Sequence, residues 1–172
     1  MEPFRERDKL WLMGLPIYLM LLILRHEGSH ALSAVLYEGA RLTEFSLLPG
    51  FSEQGNFVRP HIRVSGATSW VTAFAPYLCD ALTFLVFYPV CRYVVKRSKG
   101  LWLNLAAVGV LSPFLNSVAN YAIGLVRANS DVGKLLAHQP PIAVHAYFTL
   151  TLALYAYGCL RLFRQAKEAT LE

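Results

Sequence analysis

Two histidines four residues apart, with a glutamate beside the first, carry the strongest chemical signal in this chain: His26-Glu27-Gly28-Ser29-His30. On a helix, positions i and i+4 share one face, about 6 Å apart along the axis. Two imidazoles so placed can converge on one Zn²⁺, while the glutamate stands beside the metal without ligating it. Zinc lowers the pKa of a bound water to about 7, which makes hydroxide available at neutral pH. Glu27 is then the expected general base, taking a proton from that water and passing it to a leaving amine. The chemistry implied is metal-assisted hydrolysis with one Zn²⁺ per chain.

A catalytic zinc needs three protein ligands and an open position. No third histidine follows on the same helix: Ser33 and Leu36 stand where a glycine and a histidine would extend the pattern. The third ligand must come from elsewhere, and the candidates are Asp131, Asp80, His145, His61 and His138.

The elements that position these residues follow from composition. Hydrophobic residues make up 55 % of the 172 and charged residues 16 %, against about 25 % charged in soluble domains. Mean hydropathy is +0.40, and the apolar residues form four long runs. The first spans 10–24 and resumes at 31–37; the second, 65–90, contains Asp80; the third, 101–126, has no formal charge; the fourth, 142–160, contains His145. A helix needs about 20 residues to cross a bilayer. The first run reaches that length only if the His-Glu segment is part of the span.

The expected architecture is therefore an all-α polytopic membrane protein. It has about four transmembrane helices, at 10–37, 66–91, 101–126 and 142–161, in one membrane-embedded domain over 1–172. A signal peptide over 1–33, with Ala31-Leu32-Ser33 as a cleavage-like site, is the competing reading of the N-terminus; two histidines and a glutamate have no use in one. Between the first two spans, 40–64 has a different texture. The turn signals Pro49-Gly50 and Ser52-Glu53-Gln54-Gly55 separate two extended runs, which predicts a β-hairpin or small sheet. Pro60 suits an edge strand.

Charge sets the expected orientation. With four spans, the N-terminus, the 92–99 loop and the C-terminus share a side and carry ten Lys/Arg; the other two loops carry five. Both termini are thus expected to be cytoplasmic. The net charge of +5 lies in these membrane-flanking segments, which argues against a nucleic-acid partner. The expected partners are the bilayer and a membrane-protein substrate, and the sequence does not set the oligomeric state. Cys79, Cys91 and Cys159 form no CxxC pair and read as apolar packing.

Span parity bears on the third ligand. The first and third spans run in the same direction. The first ends just after the His pair and the third just before Asn129-Ser130-Asp131. Asp131 and the histidines therefore fall toward one face. Asp80 is the rival, because an intramembrane carboxylate is a functional candidate by default. Asn116 and Asn120 on the third span read either as interhelical hydrogen bonds or as donors aimed at a developing oxyanion. Pro113 is expected to kink that helix. Trp70, Tyr77, Tyr147 and Tyr155 read as packing or interface anchors.

The segment Arg25-His26-Glu27-Gly28-Ser29-His30-Ala31-Leu32-Ser33-Ala34 resembles the H-E-x-x-H-A-x-x-A helix of the site-2 protease family of intramembrane zinc proteases. The 39–55 stretch, with Phe45 and Pro49-Gly50-Phe51, is similar to that family's β-structured loop, and Ala75-Pro76-Tyr77 to its Gly-Pro segment. Asp131 would match the family's third zinc ligand, with Ser130-Asp131-Val132 standing where the family has Leu-Asp-Gly. The resemblance covers roughly 10–137. It implies a zinc-dependent endopeptidase that cleaves within or near substrate transmembrane segments, with His26, His30 and Asp131 on the metal and Glu27 as base. Two other functions compete: a catalytically inactive membrane scaffold that retains the fold, and a metal-handling membrane protein.

Overall fold

The computed structural model describes residues 15–46, 48–51, 55–58, 61–66, 68–95 and 99–168. The basic N-terminal residues Arg5, Arg7 and Lys9, and the edge-strand residue Pro60, lie outside them.

The first helix, α1 (Leu15–Glu38), holds the His-Glu motif at its middle. At 1.5 Å per residue its 24 residues reach about 36 Å. Four short strands follow: β1 (Arg41–Ser46), β2 (Gly50–Phe51), β3 (Phe57–Val58) and β4 (His61–Ser65). β1 pairs antiparallel with β4, from Arg41 opposite Ser65 to Ser46 opposite His61, with a bulge between Leu42 and Glu44. β2 pairs antiparallel with β3 inside that ladder. The predicted hairpin is therefore a nested pair of two-stranded ladders.

α2 (Trp70–Val94) starts at an N-cap, Ser69, whose hydroxyl accepts the Val71 N–H at 3.1 Å. Glu38, the last residue of α1, accepts the Ser69 N–H at 2.8 Å and also bonds its hydroxyl. The start of α2 is thereby tied to the end of α1 across the whole β excursion. Burial works against the Glu38 charge, but the Ser69 and Thr72 hydrogen bonds outweigh it and hold the carboxyl below its ordinary range.

The third apolar run is not a plain helix. α3 (Lys99–Ala106) passes through one π-helical turn, Ala107–Leu111, into α4 (Ser112–Val126). Pro113, two residues after the turn, has no N–H to offer the carbonyl four residues back. The segment expected to be a loop, 127–140, contains α5 (Asp131–His138), capped by the Ser130 hydroxyl on the Gly133 N–H at 3.1 Å. α6 (Pro141–Glu168) is the last described element and runs past the expected end of the last apolar run.

Among the described residues, three helical segments are long and apolar enough to cross a membrane: Trp70–Val94, Leu101–Val126 and Pro141–Glu168. α1 is not among them, because Arg25–His30 interrupts its apolar run. Large apolar side chains point outward along these helices, including Leu82, Leu85, Val86, Leu150 and Leu154. An outer surface of that kind fits lipid better than water. The mostly helical chain is thus consistent with a multi-pass membrane protein.

Two apolar clusters hold the helices together. One gathers Phe84, Cys91, Trp102, Val110, Tyr155 and Leu162. The other, next to the motif, gathers Ala73, Tyr77, Val132, Leu135, Val144 and Phe148. The second cluster fixes α5. Val132 is fully buried and sits against Gly124 of α4, where an added Cβ would meet the Val132 Cβ at 2.3 Å. Only glycine permits that approach, and it sets the position of the neighbouring Asp131. All three cysteines are unpaired, two of them buried, as apolar packing requires.

Candidate metal centre

His26 and His30 project from the same face of α1, with ring centroids 5.0 Å apart and ring planes at 85°. Asp131, the first residue of α5, comes between them. Its Oδ2 lies 3.2 Å from His30 Nε2 and 3.6 Å from His26 Nε2. One ligand atom from each of the three residues falls within 4.8 Å of the others. Ligand atoms about 2.05 Å from a tetrahedral zinc are about 3.3 Å apart. The two His–Asp separations bracket that figure, and the donor set of two imidazoles and a carboxylate suits a catalytic zinc. The residues present fit the ion.

The local sequence prepares His30 for this role. Its Nδ1 lies 2.7 Å from the Thr72 carbonyl of α2. A carbonyl only accepts, so Nδ1 carries the hydrogen and Nε2 is the atom left for a metal. That carbonyl is free because of Pro76. In a regular helix the Thr72 carbonyl would accept the N–H four residues on, and proline has none. A proline inside α2 thus supplies the second partner of a histidine on α1.

Asp131 bears the charge of the cluster. Burial opposes its ionisation, but the hydrogen bonds and charges of His26 and His30 prevail and hold its carboxyl well below the usual range. Lys134 Nζ is 3.9 Å from the other oxygen, Oδ1. A cavity of about 300 Å³ opens beside the cluster. Glu27, His30 and Asp131 line it, with Ile62 and Val64 of β4 on one side and Lys134 and His138 of α5 on another.

The other candidate ligands lie elsewhere. Asp80, 1 % exposed, pairs with Arg25 at 2.8 Å and is not part of the cluster. His145 meets the Tyr121 hydroxyl at 2.8 Å. His61 meets Glu44 on the β1–β4 ladder at 3.2 Å. His138 donates from Nδ1 to the Lys134 carbonyl at 2.8 Å, at the rim of the cavity. Asn116 reaches both Asp80, at 2.7 Å, and His26 Nδ1, at 3.2 Å. Asn120 donates to Asn116.

Tyr77 packs in the second apolar cluster as expected, and it also borders the candidate ligands. Its ring stands edge-on to His26 with centroids 6.3 Å apart. Its hydroxyl is buried with no hydrogen-bond partner among the described residues. Comparison with family models, with curated proteins and with solved structures finds no match to this chain.

Proposed function

We propose that the chain is a zinc-dependent intramembrane endopeptidase, with α1 as a fourth membrane crossing that carries the metal-binding motif. The observation that supports this best is the meeting of three ligand-type side chains. His26, His30 and Asp131 come from elements about a hundred residues apart and bring their ligand atoms within 4.8 Å of one another. Glu27 lines the cavity beside them. Ionisable groups in a lipid-facing protein are expensive and are kept where they do work.

A zinc ion held by these three residues would activate a water and polarise the scissile carbonyl. The chain supplies the rest. His30 is fixed by Thr72, so its Nε2 faces the ligand position. Glu27 stands where a carboxylate can take a proton from the attacking water and return it to the leaving amine. Ala73 of the second apolar cluster gives the cavity an apolar wall. A helical substrate hides its carbonyls, so it must unwind before cleavage. The cavity wall at Ile62 and Val64 offers the extended segment a strand to pair with. The zinc content of the purified chain, together with cleavage of a transmembrane substrate by wild type and Glu27→Gln, tests this reading. The variant should keep its metal and lose cleavage. Equal cleavage by both would reject the role given to Glu27, and a metal-loaded chain that cleaves nothing would favour the scaffold reading.

A further inference from the structure

α5 has two faces, and packing uses only one of them. Val132 and Leu135 are buried in the second apolar cluster, and Leu136 packs against it. Asp131, Lys134 and His138 follow one another at three and four residues, which puts them on a common face, and all three line the cavity. β4 lines another side with Ile62 and Val64. Arg63 between them points to the opposite face, as strand alternation requires, and pairs there with Glu44 at 2.8 Å. Among the described residues that line the cavity, Lys134 is thus the one permanent cation, against two acids, Glu27 and Asp131.

Asp131 does not use up this cation. Lys134 Nζ stands 3.9 Å from Asp131 Oδ1, beyond the roughly 2.7–3.2 Å of a hydrogen bond. Its side chain is 56 % exposed, and among the described residues it forms no other ion pair. An ammonium has three hydrogens to donate. The two acids have other work in the hydrolytic reading, Asp131 on the metal and Glu27 on the water. His138 does not share the role of Lys134. Its Nδ1 donates to the Lys134 carbonyl at 2.8 Å, so a neutral ring keeps only an acceptor. The charge left open to a substrate in this cavity is that of Lys134.

We propose that Lys134 selects substrate segments that carry an acidic side chain close to the scissile bond. The spacing follows from helix and strand geometry. Lys134 and His138 lie three and seven residues beyond Asp131, so this face of α5 runs from about 4.5 to about 10.5 Å past that residue. An extended segment advances about 3.3 Å per residue. The acidic residue therefore belongs about one to three residues from the cleaved bond, on the side that faces α5. A basic residue there meets Lys134 as a like charge and is rejected, so the same group selects and excludes. This inference rests on the endopeptidase reading above and names its substrate class.

The test uses full-length, zinc-loaded protein in detergent micelles and a series of apolar peptides of about 20 residues, the length of a membrane span. Each is acetylated and amidated at its ends and carries one Glu, Gln or Lys, so a side chain is its only charge. Binding is read by fluorescence anisotropy, and cleavage by mass spectrometry with kcat/KM. Wild type should prefer the Glu peptide over the Gln peptide by about 5-fold, the upper end for an exposed ion pair, and should cut about one to three residues from the Glu. Lys134→Gln should bring that ratio to about 1, and Lys134→Glu should place the Lys peptide ahead of the Glu peptide. Arg63→Gln removes the same charge from the outer face of β4 and should leave the ratio intact. A role for Lys134 confined to supporting Asp131 would change zinc affinity and leave the ratio alone. An equal preference for Glu and Gln in wild type, a ratio unmoved by Lys134→Glu, or an equal fall in Arg63→Gln would overturn the inference. A wild type that discriminates the peptides in binding but cleaves none would reject the endopeptidase reading and not the preference for an acidic side chain.

Discussion

Pro76→Ala should stabilise the protein and weaken its metal site at the same time. The substitution returns an N–H to the position four residues after Thr72, where it can claim the carbonyl that His30 Nδ1 now holds at 2.7 Å. Proline in a helix interior is about 3 kcal/mol worse than alanine. Against that gain, Pro76 is fully buried. Losing two ring methylenes from a packed site costs about 0.8 kcal/mol each in transfer alone. The net expectation is a gain of about 1 kcal/mol. His30 meanwhile shares its carbonyl and loses orientation, which should weaken zinc binding about 10-fold, the lower end for losing an outer partner of a metal-bound histidine. Thermal unfolding in micelles and chelator competition read the two quantities on one sample. Pro89→Ala is the control: it lies in the same helix, away from the cluster, and should leave affinity unchanged. Affinity unchanged in Pro76→Ala, or stability and affinity falling together as packing damage would give, would refute the reasoning.

Other substitutions test the supports of the site. Gly124→Ala places a Cβ 2.3 Å from the Val132 Cβ and should cost about 1–3 kcal/mol; the displaced α5 should also bind zinc less tightly, and Val132→Ala should restore part of both in chelator and unfolding assays. Arg25→Met leaves the 1 %-exposed Asp80 unpaired and should destabilise by about 3–5 kcal/mol, while Arg25→Met with Asp80→Leu should lose far less; additive losses in micellar unfolding would contradict the ion pair. Glu38 has a lowered pKa in the fold, so its tie to Ser69 contributes fully above the ordinary carboxylate pKa of about 4.3 and is lost as pH falls through the lower, folded value. The gap in thermal midpoint between wild type and Glu38→Gln should therefore be full at neutral pH and close in acid. Prolines placed singly along β4 should impair cleavage at the alternate positions whose N–H faces away from β1, and a uniform effect would count against strand pairing with substrate.

What could be read from the sequence follows the range of the interactions. The His26–His30 pattern is local, because helix geometry alone puts both rings on one face. Asp131 is a hundred residues away, and the direction of the apolar runs points it toward the end of the bundle where the structure has it beside His30. Gly124 and Val132, which set its position, follow no local pattern. The Asp80 carboxylate was visible as an anomaly in a span, but its partner Arg25 read as part of the motif segment; nothing local links residues 55 apart. The carbonyl freed by Pro76 was open to inference from proline chemistry, while its use by His30 needed the packing of α1 on α2. The short helix α5 was hidden in a segment with turn-rich ends. The polar interruption of α1 is what keeps that helix from matching the other three in hydropathy, and it is also the candidate site.

The most direct test is the zinc content of purified wild type, Asp131→Ala and Asp80→Asn. Wild type and Asp80→Asn should each carry one zinc per chain, and Asp131→Ala should carry none. Zinc retained by Asp131→Ala but lost from Asp80→Asn would contradict the ligand assignment.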